Sequence, residues 1–128
     1  HGVGAFRRRL GSHRGLVGDA PIEGGALRID PEQVQAFIGG ASVGLTPREF
    51  DVLYALARAQ GKPLARERVY REVWGYEMMR GDRSVDVFVR KVRQKLAAAQ
   101  PDRSYVQTLY GVGYRFEPSD AAPAGAEA

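Results

Sequence analysis

The order of the secondary-structure patterns is the feature that most constrains the fold of this chain. Three stretches of helical periodicity begin at Thr46, near Arg66 and near Arg83, and a short aromatic segment, Tyr105 to Phe116, follows them. Gly111-Val112-Gly113 lies at the centre of that segment, a pattern typical of two strands joined by a turn. Three helices closed by a β-hairpin form a winged helix-turn-helix, so the sequence predicts an α+β fold of this type.

The first helix has the most clearly marked start in the sequence. Thr46 supplies a hydroxyl at the N-cap, Pro47 occupies the first helical position and Glu49 the third, which is the pattern of a capping box. Apolar residues recur at helical spacing in this segment and in the two that follow. The second helix is predicted over 66–74 and the third over 83–98.

Three strand-like segments precede the helices, at 26–30, 34–38 and 42–45, and turn residues separate them. They predict a small antiparallel sheet with short connections between its strands. This sheet is expected to form the N-terminal part of a single folded unit, which spans residues 22–117 and also contains the helices and the hairpin.

The segments on either side of this unit have few large apolar residues. Residues 1–21 combine several glycines with the basic run Arg7-Arg8-Arg9 and are predicted to be a flexible linker or arm. Residues 118–128 contain no aromatic or branched aliphatic side chain and are predicted to be a disordered tail.

Several function classes are excluded by what the sequence lacks. It has no cysteine, which rules out disulfides, thiolate metal sites and cysteine nucleophiles. Both histidines, His1 and His13, lie in the predicted arm, so none is left for a catalytic triad or a metal site in the folded unit. The longest apolar run, Val52–Ala57, is too short to span a membrane. We therefore expect no enzyme, no cofactor, no metal and no membrane partner, and a cytoplasmic location.

Positive charge is concentrated in two blocks, the predicted arm and the third predicted helix. The chain carries 19 Lys and Arg against 15 Asp and Glu, a net charge of +4, and a basic balance favours a nucleic-acid or acidic partner. At about 100° per residue, one side of this helix is apolar and the opposite side mostly basic. The apolar stripe consists of Val85, Val89, Val92 and Leu96. The opposite side carries Arg83, Val87, Arg90, Lys91 and Gln94, with Asp86 and Arg93 on one flank.

This arrangement suits a helix that lies in the major groove of DNA. Arginine pairs with guanine O6 and N7, glutamine with adenine, and an aliphatic side chain such as Val87 contacts the thymine methyl group. The alternative is the solvated face of an ordinary surface helix. The hairpin likewise has two interpretations. It either lays Tyr110 or Arg115 along a phosphate backbone or minor groove, or it covers the core with Tyr114 and Phe116.

Four motifs, in a fixed order and at characteristic separations, carry a further indication of function. They are Leu45–Phe50, Val73–Gly75, Arg83–Val87 and Val106–Phe116. Over about residues 25–117 the sequence resembles the OmpR/PhoB-type effector domain, the winged-helix DNA-binding output domain of bacterial two-component response regulators. The resemblance implies a promoter-binding transcription regulator with an upstream receiver domain. It also implies a domain that is a monomer in isolation and pairs on tandem half-sites of duplex DNA.

The resemblance assigns roles to individual residues as well. Recognition-helix positions that contact bases or nearby phosphates are matched by Arg83, Val87, Arg90 and Lys91. Positions near the DNA backbone are matched by Trp74 and Arg93, and wing positions by Thr108 and Tyr110. The loop between the second and third helices matches a loop that in such activators can face RNA polymerase, whereas the alternative is a plain connector. That loop holds Tyr76, Glu77, Met78, Met79 and Arg80.

Three positions depart from the family pattern. Phe88 stands where a histidine or another polar residue is common, and we expect it to extend the core. Tyr110 stands where a wing arginine is frequent. Ala65 replaces the serine or threonine usually found before the second helix, and the loss of such a cap costs about 1 kcal/mol.

Two functions from different classes follow from these observations. The first is sequence-specific DNA binding by a transcription regulator. The alternative is a winged helix used only as a protein-interaction module, with the basic helix face solvated or bound to an acidic partner. Salt-dependent binding to duplex DNA distinguishes them.

Overall fold

A computed structural model of the protein describes residues 20–120, and these residues begin with a four-stranded antiparallel sheet. Its strands lie side by side in chain order: β1 (Ile22–Gly24), β2 (Leu27–Asp30), β3 (Gln35–Ile38) and β4 (Ala41–Ser42). The predicted sheet is therefore confirmed, with two differences. Strand β1 was not predicted, because three residues are too few to show a periodic pattern. The last strand ends before Gly44, whose φ of +82° breaks the extended conformation.

Three helices follow at the predicted places: α1 (Pro47–Arg58), α2 (Arg66–Trp74) and α3 (Ser84–Ala99). The capping box of α1 is confirmed, since the Thr46 hydroxyl accepts a hydrogen bond from the Glu49 amide and the Glu49 carboxylate accepts one from the Thr46 amide. Ala65 makes no side-chain cap at the start of α2, as its sequence implied.

Glu49 has a second role that orients α3. Its carboxylate, with only 4% of the side chain exposed, lies 2.7 Å from the Lys95 ammonium. Lys95 also donates a 3.0 Å hydrogen bond to the Gly44 carbonyl. Burial on its own raises the pKa of Glu49, but the hydrogen bonds from Lys95 and Thr46 outweigh it and hold the pKa below its usual value. The contact therefore ties the C-terminal half of α3 to the start of α1.

The hairpin that closes the domain is longer than predicted. It consists of β5 (Arg103–Leu109) and β6 (Gly113–Asp120). The prediction that a disordered tail begins at residue 118 was wrong, because backbone pairing continues to the last described residue. Arg103 pairs with Asp120, and the two side chains form a 2.9 Å ion pair. Residues 1–19, most of the predicted arm, and 121–128, the rest of the predicted tail, lie outside the described residues.

The hairpin is joined to the body of the domain at Leu64. The amides of Leu64 and Tyr114 donate to each other's carbonyl oxygens at 2.8 and 3.0 Å. This approach requires glycine at position 113, since a Cβ atom there would lie 2.0 Å from the Leu64 carbonyl oxygen, and its φ is +153°. The wing is thus attached to the segment before α2 by backbone hydrogen bonds.

The core lies where the three helices meet both sheets. α1 is the central element, with every residue from Val52 to Ala57 buried. Within residues 20–120, no helix has the length and apolar character needed to cross a membrane. The side chains that are nearly completely buried include Leu27, Ile29, Phe50, Leu53, Val69, Val89 and Tyr105.

Candidate nucleic-acid interface

Helix α3 presents two faces of opposite character. The apolar stripe is confirmed, since Val85, Val89, Val92 and Leu96 are each no more than 3% exposed. The opposite face is open to solvent, and even its apolar member, Val87, is 45% exposed. The exposed residues of this face are Arg83, Val87, Arg90, Lys91 and Gln94. The structure therefore brings five of the predicted DNA-binding residues together on one accessible surface, which we call the α3 face.

A carboxylate lies at the edge of the α3 face. Asp86 accepts hydrogen bonds from Arg66 at 2.8 Å, from Arg83 at 3.0 Å and from the Tyr114 hydroxyl at 2.5 Å. Burial on its own raises the pKa of Asp86, but the hydrogen bonds from Tyr114 and Arg66, together with the charge of Arg66, hold it below its usual value. Asp86 is therefore ionised at neutral pH and joins α2, α3 and β6.

Arg66 was missed by the sequence analysis. It begins α2, has 49% of its side chain exposed and shares the Asp86 carboxylate with Arg83. A contact between residues 20 positions apart leaves no local pattern in the sequence, and Arg66 lies outside the basic segment that forms α3. The structure therefore adds Arg66 to the basic residues beside the α3 face.

Arg93 lies differently from the other predicted DNA-binding residues of α3. It is half-buried, and its guanidinium donates two hydrogen bonds to the Val106 carbonyl, at 3.1 and 3.2 Å, and one of 2.5 Å to the Thr108 hydroxyl. The guanidinium carbon also lies 5.5 Å from the centre of the Tyr114 ring. Arg93 and Thr108 thus bond to each other and fasten β5 to α3, while phosphate contact by either residue stays a prediction.

The tip of the wing is accessible. Tyr110 is 92% exposed, so it does not pack on the body of the domain. Arg115 lies lower on β6, where it forms a 2.8 Å ion pair with Glu117 and has a buried Nε atom with no hydrogen-bond acceptor. Tyr114 and Phe116 are buried and cover the core, as the alternative interpretation of the hairpin proposed. The base of the wing therefore covers the core and its tip is accessible, while contact of the tip with DNA stays a prediction.

Trp74 belongs to an aromatic cluster between α2 and α3. It is half-buried and stacks on Tyr70 with ring centres 4.5 Å apart. Phe88 meets it edge-on at 5.7 Å, which confirms that Phe88 extends the core, and the Arg48 guanidinium lies 4.8 Å from its ring centre. Trp74 therefore packs between the two helices, and a contact with the DNA backbone stays a prediction.

The loop between α2 and α3 exposes most of its side chains. Tyr76 is 62% and Met79 72% exposed, and Glu77 and Arg80 are also exposed. Met78 differs, since it is partly buried against the core and anchors the loop. The loop begins at Gly75, whose φ of +88° ends α2, and it leads to Asp82, whose carboxylate accepts from the Ser84 amide at the start of α3.

The combined geometry forms a positive surface with one carboxylate at its edge. Exposed arginine and lysine side chains are suited to phosphate oxygens and guanine edges, and α3 holds them at fixed positions. In the part of the chain that the structure describes, no group of three His, Cys, Asp or Glu side chains is placed to hold a metal ion.

Comparison with known proteins agrees with this geometry. Residues 40–116 match the family described as "Transcriptional regulatory protein, C terminal". The chain belongs to this family. Members of the family that resemble it include the uncharacterized transcriptional regulatory protein YclJ of Bacillus subtilis, which is 33% identical over 113 residues. That alignment covers 88% of this chain and 49% of YclJ, so the chain spans about half the length of this relative.

Solved structures of the same family have the same fold. The DNA-binding domain of RstA from Klebsiella pneumoniae, in complex with the RstA box, is 33% identical, with a TM-score of 0.68, and the match covers 76% of this chain and 96% of that domain. The response regulator DrrB of Thermotoga maritima, an OmpR/PhoB homologue, is 31% identical, with a TM-score of 0.63, over 76% of this chain and 44% of DrrB. The predicted OmpR/PhoB-type family and the winged-helix fold are therefore confirmed.

Proposed function

We propose that this domain binds duplex DNA at promoters and regulates transcription as the output domain of a two-component response regulator. The observation that carries the proposal is the α3 face. A helix of 16 residues is anchored by four buried apolar side chains, presents Arg90 and Lys91 to solvent and has the exposed Arg83 at its N-cap. Support also comes from RstA, whose DNA-binding domain is known in complex with its DNA box.

The dimensions of α3 suit the major groove. An α-helix with its side chains is about 10–12 Å wide, and the major groove of B-DNA is about 12 Å wide. With the α3 face in the groove, Arg90, Lys91 and Gln94 reach base edges or the nearest phosphates. The wing tip at Tyr110 then lies toward the backbone or the adjacent minor groove, because β5 and β6 are fixed to α3 through Arg93 and Asp86.

We also propose how the rest of the full-length protein is organised. Because the chain matches 49% of YclJ and 44% of DrrB, we propose that a receiver domain occupies the upstream part of the full-length protein. The domain is then a cytoplasmic, non-enzymatic DNA-binding unit that is a monomer alone and pairs on tandem half-sites. The exposed Tyr76 and Met79 of the α2–α3 loop are suited to contact RNA polymerase at a promoter.

A binding experiment separates this function from a protein-interaction module. Duplexes that bind the protein are enriched from a random library, and the selected duplex is compared with a scrambled one at several salt concentrations. We expect the selected duplex to bind at least about 1,000 times more tightly than the scrambled one, with both affinities falling as salt rises. Equal affinities for the two duplexes, or binding that does not respond to salt, would favour the protein-interaction module.

Tyr110→Arg tests whether the wing tip reaches DNA. Arginine adds a positive charge at an exposed position, and each further phosphate contact steepens the slope of log K against log salt by about 0.9. We therefore expect a slope steeper by about 0.9 and tighter binding at low salt, most of all on sites with a narrow, A·T-rich minor groove. Tyr110→Gln, which adds no charge, is the matched control. If both variants keep the parent slope, the wing tip does not contact DNA.

A further inference from the structure

Asp86 brings a negative charge to a surface that is otherwise suited to polyanions. It lies in the first turn of α3, between the exposed residues Arg83 and Val87. Its own side chain is only 17% exposed, whereas the side chains of Arg66 and Arg83 are 49% and 77% exposed. A largely covered carboxylate thus lies beneath two accessible guanidinium groups.

Both arginines reach Asp86 in the same way. Arg66 donates its Nε–H to Oδ1 at 2.8 Å, and Arg83 donates its Nε–H to Oδ2 at 3.0 Å. Each contact with Asp86 uses only the Nε of the arginine. The terminal nitrogens of Arg83 are therefore left for other acceptors, whereas the Arg66 guanidinium also interacts with the Tyr114 hydroxyl. The carboxylate therefore orients the two groups and offsets part of their charge without consuming their capacity for bidentate hydrogen bonds.

The carboxylate itself is held in place from the protein side. The Tyr114 hydroxyl donates to Oδ1 at 2.5 Å, and the ring of Tyr114 lies under the guanidinium of Arg93. Asp86 and Arg93 lie about two turns apart on α3, so Tyr114 contacts the helix at two separate positions. Asp86 is therefore held in a fixed position, and through it Arg66 and Arg83 are held in fixed positions relative to the wing and to α3.

We propose that Asp86 is a specificity-determining residue that restrains Arg66 and Arg83 from binding the phosphates of arbitrary DNA. The proposal rests on the DNA-binding function proposed above. Binding to arbitrary duplexes draws almost all of its free energy from phosphate contacts, whereas binding to a preferred duplex adds base contacts. Base contacts fix the docking of a preferred duplex, whereas an arbitrary duplex can shift to give free guanidinium groups further phosphate contacts. Offsetting the charge of Arg66 and Arg83 therefore weakens arbitrary binding more than preferred binding.

Asp86→Asn is the first test, because asparagine keeps the shape of the side chain and an oxygen that accepts from Arg66 and Tyr114. Removing one negative charge is equivalent to one further phosphate contact. We expect the affinity for a scrambled duplex to rise about eightfold at about 0.1 M salt, with a slope steeper by about 0.9. The affinity for the selected duplex should rise less, so the ratio of the two affinities should fall by about threefold or more.

Two control variants separate this effect from a change in net charge. Asp102→Asn makes the same charge change at an exposed position in the turn after α3, and it should leave the affinity ratio unchanged. Asp86→Glu keeps the charge and should retain a scrambled-duplex affinity within about twofold of the parent. If Asp102→Asn raised the affinity for the scrambled duplex as much as Asp86→Asn does, the inference would be overturned.

A third comparison tests whether the arginines are the groups that Asp86 restrains. Arg66→Gln should reduce scrambled-duplex affinity more in the Asp86→Asn protein than in the parent, because the freed guanidinium then contributes a phosphate contact. Equal reductions in the two backgrounds would contradict a restraint on Arg66.

Melting curves of every variant accompany the binding measurements. Asp86→Ser provides a second neutral variant in case asparagine disturbs the packing. If both neutral variants lose the melting transition, Asp86 has a structural role and the inference is overturned. If the parent protein binds no duplex with salt dependence, the proposed function itself fails. If the parent discriminates between duplexes and Asp86→Asn discriminates equally well, only the inference fails.

Discussion

Gly113→Ala is expected to lower the free energy of unfolding by about 3 kcal/mol. The added Cβ atom would lie 2.0 Å from the carbonyl oxygen of Leu64 and 2.8 Å from its carbon, so the backbone has to move. That movement breaks the two hydrogen bonds that attach β6 to the segment before α2. Urea denaturation followed by circular dichroism measures the change.

Gly111→Ala is the matched control for this prediction. Gly111 lies in the turn of the same hairpin and has a φ of +80°, but a Cβ atom there would meet no other atom within 4 Å. Gly111→Ala therefore incurs only the cost of a left-handed backbone conformation, and we expect it to lower the free energy of unfolding by about 1–2 kcal/mol. Equal losses for the two variants would show that contact with Leu64 does not determine how the wing is attached.

Arg90→Ala is expected to weaken binding to the selected duplex by about 1–3 kcal/mol, or roughly 5- to 150-fold. Arg90 is exposed in the middle of the α3 face, where a guanidinium can pair with guanine O6 and N7. Its loss should also relax the preference at one base position, which a second round of selection would reveal. Affinities are measured by fluorescence anisotropy at a fixed salt concentration.

The control for Arg90 removes the same charge from another surface. Arg28 is exposed on β2, in the four-stranded sheet, where it pairs with Glu23 and Asp30. Arg28→Ala should change affinity for the selected duplex less than about threefold and leave base preference unchanged. If Arg28→Ala and Arg90→Ala weaken binding equally, the α3 face has no special part in recognition.

Most of the fold could be predicted because its signals are local. The capping box of α1 lies within four consecutive residues, and the apolar stripe of α3 repeats at helical spacing along a single segment. The positions of the three helices and of the exposed α3 face followed directly from these patterns. Strand β1 was missed because it has only three residues, and its pairing with β2 depends on the fold as a whole.

The part of the site that could not be predicted depends on contacts between distant residues. The sequence places Asp86 only on the flank of a mostly basic helix face, whereas its partners Arg66 and Tyr114 lie 20 and 28 positions away in the sequence. Arg93 is predicted on the same flank and near the DNA backbone, and nothing in the sequence indicates that β5 places the Val106 carbonyl within reach of its guanidinium. The angular position of a residue on a helix predicts its exposure and leaves its tertiary partners open.

Guanine methylation interference tests the central claim, that the α3 face binds in the major groove, most directly. Guanine N7 lies in the major groove, so a methyl group there blocks a side chain that contacts it. We expect methylation of particular guanines in the selected duplex to prevent binding, and interference at one of them to disappear in the Arg90→Ala protein. Interference from methylated adenine N3 in the minor groove alone, or an identical guanine pattern for parent and Arg90→Ala proteins, would contradict the account.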